Sequence, residues 1–204
     1  MSQSYCIPAV SKHCAEERIS DSRFVVTAGH TPDPEAAREF VSFVQQDHPH
    51  ATHNCWAFVA GPAGDSRFVG ASDDGEPAGT AGAPILQTLL CSGVGELTMV
   101  VSRYFGGTKL GTGGLVRAYT SLVQLGLRGL ALHHYVPGVL WHVLVPHHCA
   151  GVLRHRLGVL GVDIVDEHFG VDLEWRLKCP LAKRDAVWEC LYTLTQGLAV
   201  VEEE

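Results

Sequence analysis

Carboxylates are missing from the middle of this chain. Of its 22 aspartates and glutamates, none falls between Leu97 and Val162, a stretch that still carries Arg103, Lys109, Arg117, Arg128, Arg154 and Arg156. The formal net charge of −7 argues against a general nucleic-acid binder, but its distribution leaves two readings open. Either the central segment is mostly buried with a few basic charges, or an acidic protein carries one electropositive face that steers anions. Long apolar runs are also missing. None approaches the roughly 18 residues of a membrane span, and the opening "MSQSYCIPAVSKHC" lacks a basic start followed by an apolar stretch. No membrane association is expected, and the cytosol is the expected compartment.

Paired cysteines are lacking as well. Cys6, Cys14, Cys55, Cys91, Cys149, Cys179 and Cys190 are odd in number, scattered, and never in a C-x-x-C pair. That spacing argues against a disulfide framework and against a zinc knuckle, so reduced thiols and no metal are expected. "HHC" at His147, His148 and Cys149 lacks tetrahedral ligand spacing. His53 and Cys55 stand two apart and would share a strand face, yet productive Cys-His pairs generally come from separate segments. No catalytic residue and no cofactor emerge from these tests.

What is present is 204 residues with 46% hydrophobic content, enough for one large or two small α+β domains with their own cores. The turn dipeptide Pro137-Gly138 follows polar "LHHY", so we place the boundary there, with domains at 1–132 and 138–204. In the second, "VLWHVLVP" puts Val139, Trp141, Val143 and Val145 on one strand face, and Leu153, Leu157 and Leu160 mark a helix. "VDLEWRLK" alternates Val171, Leu173, Trp175 and Leu177 with charged residues, a second helix closes at Gly197, and "LAVVE" ends the series. The order βαββαβ matches a ferredoxin-like split sandwich.

In the first domain, "YCIPAV" and "SRFVVTAGH" read as strands joined by a connection containing "AEERISD". Asp33 and Pro34 open an amphipathic helix with Ala37, Phe40, Val41 and Val44 on one stripe. "NCWAFVAG" and "ELTMVVSRYF" read as strands, Pro84 starts a short helix, and another helix runs from about Gly114 to Leu130. The expectation is a sheet with its helices on one face.

Two loops carry the candidate chemistry. Gly106, Gly107, Gly111, Gly113 and Gly114 join a strand to a helix beside Arg103, Tyr104, Lys109 and Arg117. Glycines so placed serve tight turns, close backbone packing, or an anion held by amide donors at a helix start. The spacing fits neither phosphate motif: Thr112-Gly113 follows where a P-loop needs Lys-Ser/Thr, and the dinucleotide fingerprint lacks its third glycine. The other loop, "SDDGEPAGTAG", sets Asp73, Asp74 and Glu76 around Gly75. Those carboxylates suit solvated turns or caps, a hard cation, or an acid/base pair, though the calcium-loop pattern is absent.

"SDDGEPAGTAG" followed by "GVGELTMVVSRYFGGTKLGTGGLVRAY" closely resembles the signature of the IMPACT/YigZ family. The match runs through Asp73, Asp74, Gly75, Glu76, Pro77, Gly79, Thr80, Gly82, Arg103, Tyr104, Gly106, Gly107, Gly111, Gly113, Gly114, Leu115 and Tyr119, while the resemblance implies that Lys109 stands at a position the family varies. The resemblance implies an N-terminal domain like domain 2 of ribosomal protein S5. It implies a ferredoxin-like C-terminal domain resembling domain V of elongation factor G. It also implies an association with translation through RNA, the ribosome or a protein partner, since eukaryotic members regulate translation by binding a kinase activator. A non-enzymatic regulator that presents the glycine loop to RNA is the expected function, with an enzyme using Asp73, Asp74 and Glu76, or a protein-binding adaptor, as the alternatives.

Overall fold

The computed structural model describes residues 4–204. Tyr5–Tyr135 forms one compact unit, and Val136–Glu204 belongs to the other. Among the described residues no helix is long and apolar enough to cross a membrane.

The first unit contains β1 (Tyr5–Pro8), β2 (His13–Ile19), β3 (Ser22–His30), α1 (Pro34–Asp47), β4 (His53–Val59), β5 (Val69–Ser72), α2 (Gly82–Leu90), β6 (Leu97–Tyr104), α3 (Thr112–Gly129) and β7 (Leu132–Tyr135). Five strands form an antiparallel sheet in the order β2-β3-β6-β4-β5, and β1 pairs with β7 in a ribbon. Its central strand β6 is buried from Leu97 to Arg103, as a strand covered on both faces is, with Thr98, Ser102 and Arg103 among its buried residues. Leu97, Met99 and Val101 pack with Ile85 and Leu89 of α2 and with Leu115, Tyr119 and Leu122 of α3. Val100 instead meets Val41 and Val44 of α1. The expectation that the helices share one face is therefore corrected: α1 covers the opposite face, because β6 and β4 alternate apolar residues to both sides.

Two further corrections concern strands that polar residues conceal. "AEER" is not a connection but part of β2, an edge strand whose charges face solvent while Ala15 and Ile19 touch the core. "LHHY" is β7 rather than a linker, paired residue for residue with Tyr5–Pro8. Asp33 does cap α1, its Oδ1 accepting from the amides of Glu35 and Ala36 at 2.9 Å, with Pro34 in the first turn.

The second unit contains β8 (Gly138–Val145), α4 (Ala150–Val159), β9 (Asp163–Phe169), β10 (Leu173–Pro180), α5 (Arg184–Leu194) and β11 (Val200–Glu203). The sheet order β11-β8-β10-β9 is antiparallel throughout. Trp141, Val143, Trp175 and Leu177 from the central strands form one core with Leu153 and Leu157 of α4 and Val187 and Leu191 of α5. Both helices thus cover one face. The alternation in β10 begins at Leu173, since Val171 lies 97% exposed in the turn before it.

Candidate functional site

The acidic loop is built as a cap. Asp73 follows β5 directly, and its Oδ1 accepts from the amides of Ala81 at 2.9 Å and Gly82 at 2.8 Å, while Oδ2 accepts from Gly79 at 2.8 Å. Burial alone would raise this carboxyl, but the three amide donors outweigh it and hold Asp73 below the ordinary carboxylate range. Asp74, at φ 42°, turns its Oδ2 onto the amide of Asn54 at 2.6 Å. Gly75 at φ 86° completes the turn beside the His53 ring. Its consequence is to drive Glu76 inward.

There Glu76 Oε1 accepts from Arg103 Nη1 at 2.6 Å and from Tyr119 Oη at 3.0 Å. The pair is buried, with side chains 5% exposed for Arg103 and 3% for Glu76. Arg103 Nη2 donates to Ser22 Oγ at 3.2 Å, and its buried Nε has no hydrogen-bond partner among the described residues. The guanidinium lies 5.5 Å from the Phe24 ring centroid and 5.4 Å from that of Phe105, aromatic faces that favour a cation. Cys55 Sγ sits 3.2 Å from Tyr119 Oη and 2.9 Å from the Asp73 carbonyl oxygen. Burial, reinforced by the carboxylates of Glu76, Asp74 and Asp73 against the bond to Tyr119, pushes the Cys55 thiol up to about 12. Burial and the neighbouring Cys55 and Glu76 likewise raise the Tyr119 hydroxyl. Both groups stay protonated at neutral pH.

The glycines of the other loop divide by task. A Cβ on Gly106 would lie 1.8 Å from the Asp21 carbonyl oxygen, so this loop rests against the β2–β3 hairpin turn. Thr108 Oγ1 fastens the same contact by donating to Asp21 Oδ2 at 2.5 Å. Gly107 at φ 101° and Gly111 at φ 71° occupy backbone that side chains resist. Gly111 is also the residue before α3, where no side chain caps the helix. Gly113 and Gly114 fall in the first turn of α3, Gly113 against little but Arg117 Nη1, 3.9 Å from its Cβ position. Lys109 and Arg117 are exposed, and neither enters an ion pair among the described residues.

The acidic loop is therefore tied through Glu76 to Arg103 and Tyr119, which lie in the strand and the helix that the glycine loop joins. Arg103, read from the sequence as a cation facing an anion, is turned into the core instead. Tyr104, the next residue, points to the other sheet face, where its Oη lies 2.9 Å from His48 Nδ1 and Arg23 stands over its ring. His53 and Cys55 do share a strand face, but His53 Nδ1 lies 2.8 Å from the Asp74 carbonyl and not against the thiol. Of "HHC", Cys149 is buried while His147 Nε2 reaches the Gly170 carbonyl at 3.0 Å. Sequence reasoning missed Ser22, Asp21 and Phe24, which support the site from strands and turns without a motif. Among the described residues no three His, Cys, Asp or Glu side chains converge in a geometry that would hold a metal ion.

Fold and site together define an α+β protein in which a buried ion pair locks the acidic loop onto the strand that leads into the glycine loop. The Impact N-terminal domain family matches residues 20–127, the span that contains every residue of this lock. The chain is 43% identical over 181 residues to the IMPACT family member YigZ of Escherichia coli (strain K12), covering 89% of this chain and 88% of that one. It is 32% identical over 185 residues to the IMPACT family member YvyE of Bacillus subtilis (strain 168), covering 91% and 84%. A crystal structure of a hypothetical protein superposes with a TM-score of 0.70 at 40% identity, covering 100% of both chains. The chain belongs to the IMPACT family.

Proposed function

We propose that this protein is a non-enzymatic, translation-associated regulator that contacts RNA backbone through the loop from Gly106 to Gly114. The observation that carries the reading is the pairing of an uncapped helix start with two exposed cations that have no carboxylate partner, Lys109 and Arg117. Unpaired amides at a helix N-terminus and nearby cations together favour phosphate oxygens. Arg103 acts from beneath: its pair with Glu76 holds the strand end from which the loop departs. The carboxylates of Asp73, Asp74 and Glu76 are committed to amides or to Arg103, which supports a structural rather than an acid/base role for that loop. Family association with translation regulation supports the same reading, as does the C-terminal strand order, which suits a ferredoxin-like, elongation-factor-type domain.

Fluorescence anisotropy with a labelled single-stranded RNA tests it. Lys109→Glu with Arg117→Glu removes most binding, while Lys183→Glu with Arg184→Glu in the C-terminal unit leaves it nearly intact. Absence of binding at low salt, or equal losses from both double variants, returns the glycines to a purely structural role.

A further inference from the structure

The C-terminal sheet ends in an open edge beside an aromatic groove. Among the described residues strand β11 pairs only with β8, and no strand lies on its other side. The Glu204 amide donates to the Leu140 carbonyl at 3.0 Å. Because antiparallel hydrogen bonding alternates along a strand, Val200 and Glu202 face β8 as Glu204 does, and the backbone groups of Val201 and Glu203 point to the open side. Such groups are a template for a further strand.

Next to that edge lies a cavity of about 440 Å³, lined by Trp141, Val201 and Glu203 from the sheet and by Arg184, Asp185 and Trp188 from α5. Trp188 is 49% exposed, and its ring stands 6.3 Å from that of Trp141 at 85°. One turn further along α5, Tyr192 is 63% exposed and reaches to 3.2 Å from the Cβ position of Gly197, just before β11. Aromatic surface thus flanks the open edge. Exposed apolar surface so placed marks an interaction site more often than a scattered side chain does.

Charge selects the occupant. Glu202 and Glu203 end β11 and Glu204 follows, with Asp185 across the groove, against Arg184 and Arg176, which pair with Glu203 and Glu204. A second copy adding β11 to β11 would set carboxylates against carboxylates, and like charges across a strand pair destabilise it. Nucleic-acid backbone meets the same repulsion.

We infer that β11 and the Trp188 groove bind an extended basic segment of a partner protein by strand addition. Its backbone pairs with the open groups of Val201 and Glu203, and the residue opposite Val201 places an apolar side chain in the groove against Trp188. Lysine or arginine on its other face meets Glu202. This assignment is independent of the RNA reading, since it uses none of the N-terminal loops.

The test uses the full chain and an alternating Lys-Val heptapeptide, followed by Trp emission and by amide chemical shifts of β11. The expected result is saturable binding that Trp188→Ala weakens about tenfold, in line with loss of an aromatic anchor. N-methylation at alternate peptide residues weakens it similarly, and a Glu-Val heptapeptide fails to bind. Val201→Pro removes an edge amide that faces away from β8 and weakens binding, whereas Val201→Ala retains most of it, with amide dispersion checking that both variants fold. The inference is overturned by no response at millimolar peptide, by equal binding of the Glu-Val peptide, or by indifference to Trp188→Ala. It is overturned equally by concentration-dependent self-association that Val201→Pro abolishes, or by single-stranded RNA shifting the β11 amides where the peptide does not.

Discussion

One oxygen of Glu76 accepts hydrogen bonds from both Arg103, at 2.6 Å, and Tyr119, at 3.0 Å, tying the end of β6 and the body of α3 to the loop before α2. Removing one partner of a buried ion pair leaves the other charge without compensation and costs about 3–5 kcal/mol. Glu76→Gln and Arg103→Met should each lose stability in that range by urea unfolding at neutral pH. The double variant Glu76→Leu with Arg103→Met should lose less than either single change, because no buried charge remains. Additive losses would mean that the two side chains act independently.

The glycines of the second loop should separate in the same assay. Gly113→Ala meets little at its Cβ position and should be neutral or stabilise by up to about 1 kcal/mol through reduced backbone entropy. Gly107→Ala and Gly111→Ala force a side chain onto positive φ and should cost about 1 kcal/mol or more. Gly106→Ala should cost most, since its Cβ would overlap the backbone of Asp21. A uniform response along the series would reject this division of roles.

Burial that raises the Cys55 thiol to about 12 has two measurable results. At pH 8 its thiolate is on the order of one molecule in ten thousand, so iodoacetamide should spare Cys55 while it labels exposed Cys14 and Cys91. Peptide mass mapping checks this, with urea restoring reaction at Cys55. The folded-state value lies above the unfolded one, so the protonated thiol contributes stability below the unfolded pKa near 9, and that contribution falls away as pH rises from there to about 12. Cys55→Ala should flatten this part of the stability profile.

Legibility in the sequence followed local determinants. Asp33-Pro34, the apolar Met99–Val101 at the centre of β6 and the alternation from Leu173 to Leu177 each specify an element by capping or periodicity, and each is found where the pattern puts it. Strand β2 was not legible because an edge strand clothed in Glu16, Glu17 and Arg18 resembles a polar connection. Nor was the side of the sheet on which α1 packs, since its apolar stripe fits either face. Motif spacing marked both loops, but the inward turn of Arg103 depends on strand parity, on Phe24 in β3, and on a glutamate 27 positions away in sequence. A cation at a strand end looks exposed until its buried partner is located.

That burial changes the electrostatics expected of the proposed RNA contact. With Arg103 neutralised by Glu76, only Lys109 and Arg117 remain to displace counterions at the glycine loop. For a single strand, each neutralised phosphate contributes about −0.7 to the slope of log affinity against log salt, so two give about −1.4, or about sevenfold weaker binding between 50 and 200 mM salt. Arg117→Gln or Lys109→Gln alone should halve the slope to about −0.7. Arg103→Lys should leave the slope unchanged, even where it lowers affinity by loosening the loop, because its charge never reaches the phosphate. Anisotropy titrations at four salt concentrations measure all three. A slope near −2 in the wild type that falls when Arg103 is replaced would mean that the guanidinium leaves Glu76 to join the phosphate path, and the pair that holds the acidic loop to β6 would then be a state that RNA opens.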